Sequence, residues 1–200
     1  MKREIKEFLQ EKDPILRDYI EDIFLEDLEQ QEDIYFSLIK SITFQQLSGK
    51  VADIIFKRFL SLFDNKYPKP QTLLEIEHKE LRNIGLSNNK ARYIKNVAQF
   101  HIEYGIKYDI LCEMSDEEII KYLCQIKGVG KWTVEMILIF SLLRENIMPS
   151  SDLAISTKIK KIYGLKTEKR ELIKEVEEVA QMWVPFRSYA VRAIWNLIDN

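Results

Sequence analysis

Ile126-Lys-Gly-Val-Gly-Lys-Trp-Thr133 is the stretch that decides the fold, because it joins two segments of helical periodicity through two closely spaced glycines. Glycine readily adopts positive φ and leaves neighbouring backbone N–H groups uncovered. The helix that follows begins with unpaired N–H groups and a positive dipole end, so the stretch predicts an anion-binding hairpin that needs little net protein charge. Val129 is predicted to anchor the hairpin in its own core.

Two other interpretations of this stretch exist. One is a helical corner whose glycines merely permit the turn. The other is a P-loop, which is excluded because Gln125 stands where its first glycine is required and Trp132 stands where Ser or Thr is required.

Outward from the hairpin, nearly every segment has a helical period, so the predicted fold class is all-α. Helices are expected over 14–30, from Ile34 to about residue 44, over 51–62, up to a glycine stop at Gly85, and over 89–104, 115–124, 132–143, 168–182 and 185–198. We expect two helical lobes with a cleft between them. Residues 1–33 and 144–200 form a terminal lobe, and residues 34–143 form a central lobe that carries the hairpin.

Composition narrows the function classes. The 200 residues are 46% hydrophobic and carry a net charge of −2, which favours a globular chain and argues against a broad basic surface for nucleic acid. Residues 136–143 are too short an apolar run to cross a bilayer, which needs roughly 20 residues. The N-terminus lacks an apolar targeting segment, so a cytoplasmic protein without membrane contact is expected.

Metal and redox chemistry are not expected from the side chains. Cys112 and Cys124 form no Cys-x-x-Cys pair and lie beside no histidine, so zinc and iron–sulfur sites lack ligands. No cofactor is predicted, and one option stays open: a structural monovalent cation on the backbone carbonyls of Ile126 and Val129.

Several motifs together resemble the helix-hairpin-helix DNA glycosylases, in particular the alkylation-repair branch of the 3-methyladenine DNA glycosylase II type. The resemblance covers residues 34–198. Its strongest part is the hairpin followed, twenty positions after Trp132, by Asp152 within Met148-Pro-Ser-Ser-Asp-Leu-Ala-Ile155. Supporting motifs are Ile42-Thr-Phe-Gln-Gln-Leu-Ser48, Leu81-Arg-Asn-Ile-Gly85 and Trp183-Val-Pro-Phe-Arg-Ser-Tyr-Ala190.

The resemblance implies that Asp152 is the catalytic carboxylate. A fixed carboxylate near C1′ of the sugar stabilises the oxocarbenium character that develops as the glycosidic bond breaks. The alternative interpretation is a helix N-cap, because Ser150-Ser151-Asp152 precedes a predicted helix, and the two roles are compatible.

The same resemblance implies the binding residues. Trp132, Met136 and Trp195 are expected to line the pocket of the extruded base, where indole rings attract a cationic alkylated purine; ordinary core tryptophans are the alternative. DNA contacts are expected from Gly128, Val129, Gly130, Lys131, Thr133, Gln45 and Gln46. The two glutamines lie at a helix break where the family inserts a side chain into the duplex, and a surface turn explains them about equally well.

The position of Trp132 separates two chemistries. Bifunctional members of the superfamily carry a nucleophilic lysine there, so a Schiff-base route is not expected, and Lys131 is one residue away from it. Those members often also carry a four-cysteine cluster after the last helix, which this sequence lacks. The best-known bacterial member has an additional N-terminal α/β domain, whereas helical sequence begins here almost at once, so the catalytic unit is expected to stand alone.

These motifs predict a monofunctional glycosylase that hydrolyses flipped alkylated purines, such as 3-methyladenine and 7-methylguanine, in base excision repair. Its expected partner is double-stranded DNA with damaged bases, without an obligate protein partner. Two alternatives stay open: a non-enzymatic helix-hairpin-helix DNA-binding module and a bifunctional oxidised-base glycosylase.

Overall fold

The computed structural model describes residues 1–47 and 49–199, which form α-helices joined by turns and contain no strand. The predicted all-α class is therefore confirmed. The helices are α1 (Arg3–Lys12), α2 (Pro14–Ile20), α3 (Ile34–Phe44), α4 (Gly49–Leu60), α5 (Pro70–Glu75), α6 (His78–Asn83), α7 (Asn88–Glu103), α8 (Tyr108–Cys112), α9 (Asp116–Leu123), α10 (Lys131–Phe140), α11 (Leu153–Tyr163), α12 (Lys169–Val179) and α13 (Arg187–Asp199). Short 3₁₀ helices span Asp64–Lys66 and Ala180–Trp183.

The chain divides into two compact units. The first unit combines Met1–Glu29 with Leu143–Asn200, and the second unit is Gln30–Leu142. The hairpin at 126–133 belongs to the second unit, and Asp152 belongs to the first.

In the second unit, α7 is the helix on which neighbouring helices converge. It packs against α3, α5 and α6, while α10 packs against α3 and α9. Ser87 caps the start of α7 by accepting from the Lys90 N–H, as expected for serine at an N-cap. Its apolar face is buried, with Ala91, Ile94 and Val97 inaccessible to solvent. This rigid helix supports the hairpin from one side.

In the first unit, the core is organised around a buried carboxylate. Asp13 is 1% exposed and caps α2 by accepting from the N–H groups of Ile15 and Leu16. It also accepts from the Trp183 indole over 2.7 Å and from the Tyr163 hydroxyl. One carboxylate therefore joins the start of α2, the end of α11 and the 3₁₀ turn before α13.

Three predicted helix boundaries were wrong. The helix predicted over 14–30 ends at Ile20, and the segment that follows it is not helical: Phe24 is 80% exposed there, whereas Leu25 is buried. The helix predicted over 132–143 ends at Phe140, and Leu143 has φ of 55° in the following turn. The segment predicted as one helix over 168–182 is α12 followed by a 3₁₀ turn.

The buried face of α4 is largely aromatic. Val51 and Ile54 are 46% and 51% exposed. Phe56 and Phe59 are buried, and their rings pack against each other and against neighbouring aromatic rings. Aromatic rings bury more area than aliphatic side chains, so they determine which of two overlapping stripes faces inward.

The break between α3 and α4 lies where it was predicted. Gln45 caps the end of α3 and Gln46 has φ of 56°, so the chain leaves helical geometry at these residues. Ser48, part of the predicted break, lies outside the described residues. Among the helices that are described, none combines the length and the hydropathy needed to span a membrane.

Candidate nucleic-acid interface

The hairpin between α9 and α10 has the predicted turn, with one correction. Gly128 has φ of 107°, and the Val129 N–H donates to the Ile126 carbonyl over 2.9 Å. Gly130 instead has extended geometry, φ −96° and ψ 170°, which any residue adopts. Positive φ is therefore required at the first glycine alone. Val129 is 4% exposed, so it anchors the hairpin in the core as predicted.

The Tyr93 ring of α7 supports the hairpin from below. A Cβ atom on Gly128 would lie 2.1 Å from Cγ of Tyr93, far inside van der Waals contact. The Asn96 side chain, one turn further along α7, donates to the Lys127 carbonyl over 2.8 Å. Gly128 is therefore required twice, for its backbone angle and for the close approach of the ring.

Gly130 leaves the start of α10 open. It is the N-cap residue, and no side chain caps the helix at this position. The first N–H groups of any α-helix lack intrahelical acceptors and lie at the positive end of the helix dipole. An anion bound here would receive backbone hydrogen bonds without a basic surface, which reconciles DNA binding with a net charge of −2.

A second turn in the same unit has nearly the same backbone. Gly85 also has φ of 107°, Leu86 is 1% exposed in the place of Val129, and Ser87 is the N-cap residue with φ −68° and ψ 159°. The difference is chemical, because the Ser87 hydroxyl accepts a hydrogen bond from the Lys90 N–H. The turn at 85–87 caps the helix that follows it, whereas the hairpin provides no side-chain cap for α10. Both turns have the same sequence order, a glycine, an apolar residue and a small residue, at 85–87 and at 128–130. This shared order was the sequence signal for the likeness of the two turns, and the sequence analysis missed it.

The side chains at the start of α10 have different environments. Lys131 is 61% exposed and ion-paired over 3.5 Å with Glu135, whose side chain is 3% exposed. Trp132 and Met136, the predicted base-binding residues, are half-buried and lie one turn apart on the same helix. The burial of Glu135 is a finding that the sequence did not predict.

Gln45, Gln46 and Thr133 occupy distinct positions. The Gln45 side chain is half-buried and donates to the hydroxyl of Thr133, which is 2% exposed. Gln46 is exposed. The Lys90 ammonium donates to the carbonyls of Thr43 and Gln45, and burial lowers the pKa of this group. The turn after α3 is therefore held by α7 and α10, with Gln46 as the glutamine that faces solvent.

Asp152 is the N-cap residue of α11, as the alternative interpretation predicted. Its side chain accepts from the Ile155 N–H over 2.9 Å and is half-buried. The preceding turn is fixed by two contacts, from the Asp152 N–H to the Pro149 carbonyl and from the buried Ser150 hydroxyl to Glu177 of α12. The position of the carboxylate is thus set by the backbone on one side and by α12 on the other.

Trp195 lies on α13, which packs against α11, and is half-buried. Arg187, Ser188 and Tyr189 hold the start of α13 to residues 144–147. The Ser188 hydroxyl accepts from the Ile147 N–H and donates to the Arg144 carbonyl. Side-chain hydrogen bonds of Arg187 and Tyr189 reach Asn146 and Glu145.

Within the described ranges, no cluster of three or more His, Cys, Asp or Glu side chains could hold a metal ion. The Ile126 carbonyl already accepts from Val129 within the turn, which leaves its second lone pair for another ligand. A monovalent cation at Ile126 and Val129 stays a prediction.

The sequence matches one protein-family model over residues 39–185, described as the HhH-GPD superfamily of base excision DNA repair proteins. A similar sequence is DNA-3-methyladenine glycosylase 1 of Schizosaccharomyces pombe, 34% identical over 169 residues, which are 84% of this chain and 73% of that protein. Some relatives are matched over a smaller share: the chain spans 59% of a Bacillus subtilis relative that is 31% identical to it.

Solved structures give the same assignment of fold. The 3-methyladenine DNA glycosylase Mag1 of S. pombe, in complex with abasic DNA, aligns with a TM-score of 0.86 at 29% identity, covering 96% of this chain and 95% of that one. A DNA-3-methyladenine glycosidase from Bacillus halodurans aligns with a TM-score of 0.78 at 29% identity, covering 98% and 88%.

Proposed function

The chain belongs to the HhH-GPD superfamily of base excision DNA repair proteins, and from this premise we propose that it is a monofunctional DNA glycosylase acting on alkylated purines. It hydrolyses the N-glycosidic bond of a nucleotide flipped out of double-stranded DNA. The observation that carries the proposal is Asp152, a half-buried carboxylate fixed at the start of α11, twenty positions after Trp132 of the hairpin.

The chemistry requires one acid. A purine alkylated at N3 or N7 carries a positive charge and leaves readily, so little general acid catalysis is needed. As the bond to C1′ breaks, positive charge develops on the sugar, and a fixed carboxylate stabilises it and orients the attacking water. Asp152 supplies that carboxylate, and the hydrogen bond that it accepts from the Ile155 N–H fixes it at the start of α11.

Base extrusion and duplex binding use separate parts of the chain. The open start of α10 and the Gly128 turn hold a backbone phosphate through N–H groups. Trp132 and Met136 of the second unit contact the flipped base, whose positive charge favours an indole face. Trp132 also occupies the position of the lysine nucleophile of bifunctional enzymes, which supports direct hydrolysis.

The test is base release from methylated duplex DNA, followed by chromatographic identification of the released bases. Wild-type protein should release 3-methyladenine and 7-methylguanine, and Asp152→Asn should nearly abolish release. Asparagine is as good an N-cap as aspartate, so α11 should keep its stability and duplex affinity should persist.

Three outcomes would contradict the proposal. Release by Asp152→Asn at the wild-type rate would remove the carboxylate from the mechanism. A covalent DNA adduct trapped by borohydride would indicate Schiff-base chemistry instead. Absence of release from every lesion tested would favour a DNA-binding module without catalytic activity.

A further inference from the structure

A cavity of about 260 Å³ opens beside the hairpin within the second unit. Its lining consists of Arg92, Tyr93, Lys95, Asn96 and Lys127. Four of these residues lie on α7, and Lys127 is the second residue of the hairpin. None of the five residues takes part in the proposed base binding or in the hydrolysis of the glycosidic bond.

Two residues that line the cavity also contact the hairpin. The Tyr93 ring that supports Gly128 forms one wall. The Asn96 amide that donates to the Lys127 carbonyl fixes the second residue of the hairpin against α7. A ligand in the cavity would therefore keep a fixed position relative to the N–H groups at the start of α10.

The lining is cationic in an otherwise slightly acidic protein. It contains three basic side chains and no carboxylate among the described lining residues, whereas the whole chain carries a net charge of −2. The Lys95 ammonium is fixed by the carbonyls of Leu74 and Ile76 at the end of α5. Arg92 is exposed and oriented by a 2.6 Å bond to Asn89, and Lys127 is exposed.

Fixed and mobile cations at one cavity suit a tetrahedral anion. A guanidinium donates through a planar fork, and an ammonium on a flexible stem adds charge without geometric demand. On a DNA strand, phosphates follow one another at about 3.4 Å along the helix axis, so the anion next to one already held lies close by. Lys127 belongs to both the hairpin and the cavity, which makes the two sites neighbours on one strand.

We propose that this cavity binds a second backbone phosphate of the same DNA duplex, adjacent to the phosphate held by the hairpin. This inference rests on the proposed action on DNA. It assigns Arg92 and Lys127 to phosphate contact, with Lys95 as a fixed background charge. Binding here is independent of base identity, so it sets the register of the strand and not the choice of lesion.

The experiment is a titration of an undamaged duplex with the protein at salt concentrations between 50 and 200 mM. Fluorescence anisotropy gives the binding constant K at each concentration. Arg92→Gln and Lys127→Gln are compared with wild-type protein and with Arg58→Gln, which removes an exposed charge of α4 outside the cavity. Each lost phosphate contact should reduce the slope of log K against log salt by about 1. Between 50 and 200 mM this is about a 3.5-fold smaller loss of affinity per contact.

Arg58→Gln should keep the wild-type slope. Circular dichroism of each variant establishes that the α-helices are intact. Wild-type slopes in both cavity variants would overturn the inference, and so would an equal decrease in Arg58→Gln, since charge alone would then explain the effect.

Failure of the proposed function is separately visible. If wild-type protein releases no base but the two cavity variants lower the slope, the phosphate site stands and glycosylase activity does not. If base release is normal and the slopes are unchanged, the glycosylase stands and the second phosphate site does not.

Discussion

The Gln45 side-chain amide donates to the Thr133 hydroxyl over 3.0 Å, joining the end of α3 to the first turn of α10. Thr133 is buried, so its hydroxyl has this amide as a partner in place of water. The glutamine turn and the hairpin are thereby coupled within one unit, although 88 positions separate them in the sequence.

This coupling assigns different roles to the two glutamines. We expect Gln45→Ala to lower the free energy of unfolding by about 1 kcal/mol, the ordinary contribution of one hydrogen bond. Gln46→Ala should leave stability nearly unchanged, because its side chain is exposed, and should slow base release if Gln46 enters the duplex. Urea denaturation and single-turnover release measure the two effects. Slower release in Gln45→Ala than in Gln46→Ala would contradict this assignment.

Gly130→Ser tests the open start of α10. The serine Cβ meets no atom within 4 Å and the backbone angles suit any residue, so the variant should fold with stability within a few tenths of a kcal/mol of wild type. Its hydroxyl should occupy an N–H group as Ser87 does, and duplex affinity should fall about 10-fold, since hydrogen bonds to charged groups contribute roughly 1.5–3 kcal/mol. Ser87→Gly is the matched control and should not lose affinity. Full affinity in Gly130→Ser would mean that the hairpin N–H groups do not hold the phosphate.

The Asp13 cluster predicts a large effect on stability. Asp13→Ala removes the cap of α2 and leaves the buried donors of Trp183 and Tyr163 without their acceptor. We expect unfolding free energy to fall by about 3–4 kcal/mol, from roughly 1 for the cap and 1–3 for each stranded donor, partly relaxed. Asp13→Asn should lose less, because its carbonyl oxygen still accepts. A loss below 1 kcal/mol in Asp13→Ala, measured by urea denaturation, would contradict the role of the cluster.

Buried tyrosines predict how stability changes in alkali. Burial raises the pKa of Tyr35, Tyr122 and Tyr163 above the usual value of about 10. Above pH 10 the unfolded chain loses these protons while the native chain keeps them, so the stabilisation is complete below pH 10 and is lost as pH rises further. The free energy of unfolding between pH 8 and 11 measures it. Above pH 10, Tyr35→Phe should make the free energy of unfolding fall less steeply with pH, by the amount that corresponds to one proton. An unchanged slope would exclude Tyr35 from the effect.

Local signals predicted much of the fold. The capping box of Ser115 and Glu118 is present at the start of α9, and α7 follows the predicted amphipathic period within one residue at each end. Helices α5 and α8 were not predicted, because one or two turns are too short to establish a periodic pattern. Phe24 and Ile54 are apolar and yet exposed, because apolar character alone does not determine which side of a segment faces the core.

The candidate site was predictable where it depends on adjacent residues. The Gly128 turn, the burial of Val129 and the cap formed by Asp152 all follow from neighbours in the sequence. Long-range contacts leave no such trace. The pairs Gln45–Thr133 and Asp13–Trp183, and the burial of Glu135, arise from packing between elements far apart in the chain, so sequence periodicity could not reveal them.

The turn at Ser87 and the turn at Gly130 differ in the N-cap side chain: Ser87 caps the start of α7, and Gly130 leaves the start of α10 without a side-chain cap. Two of the six serine codons are one nucleotide from a glycine codon, so a helical corner of this kind can gain or lose its side-chain cap in a single mutational step, without remodelling of the interior.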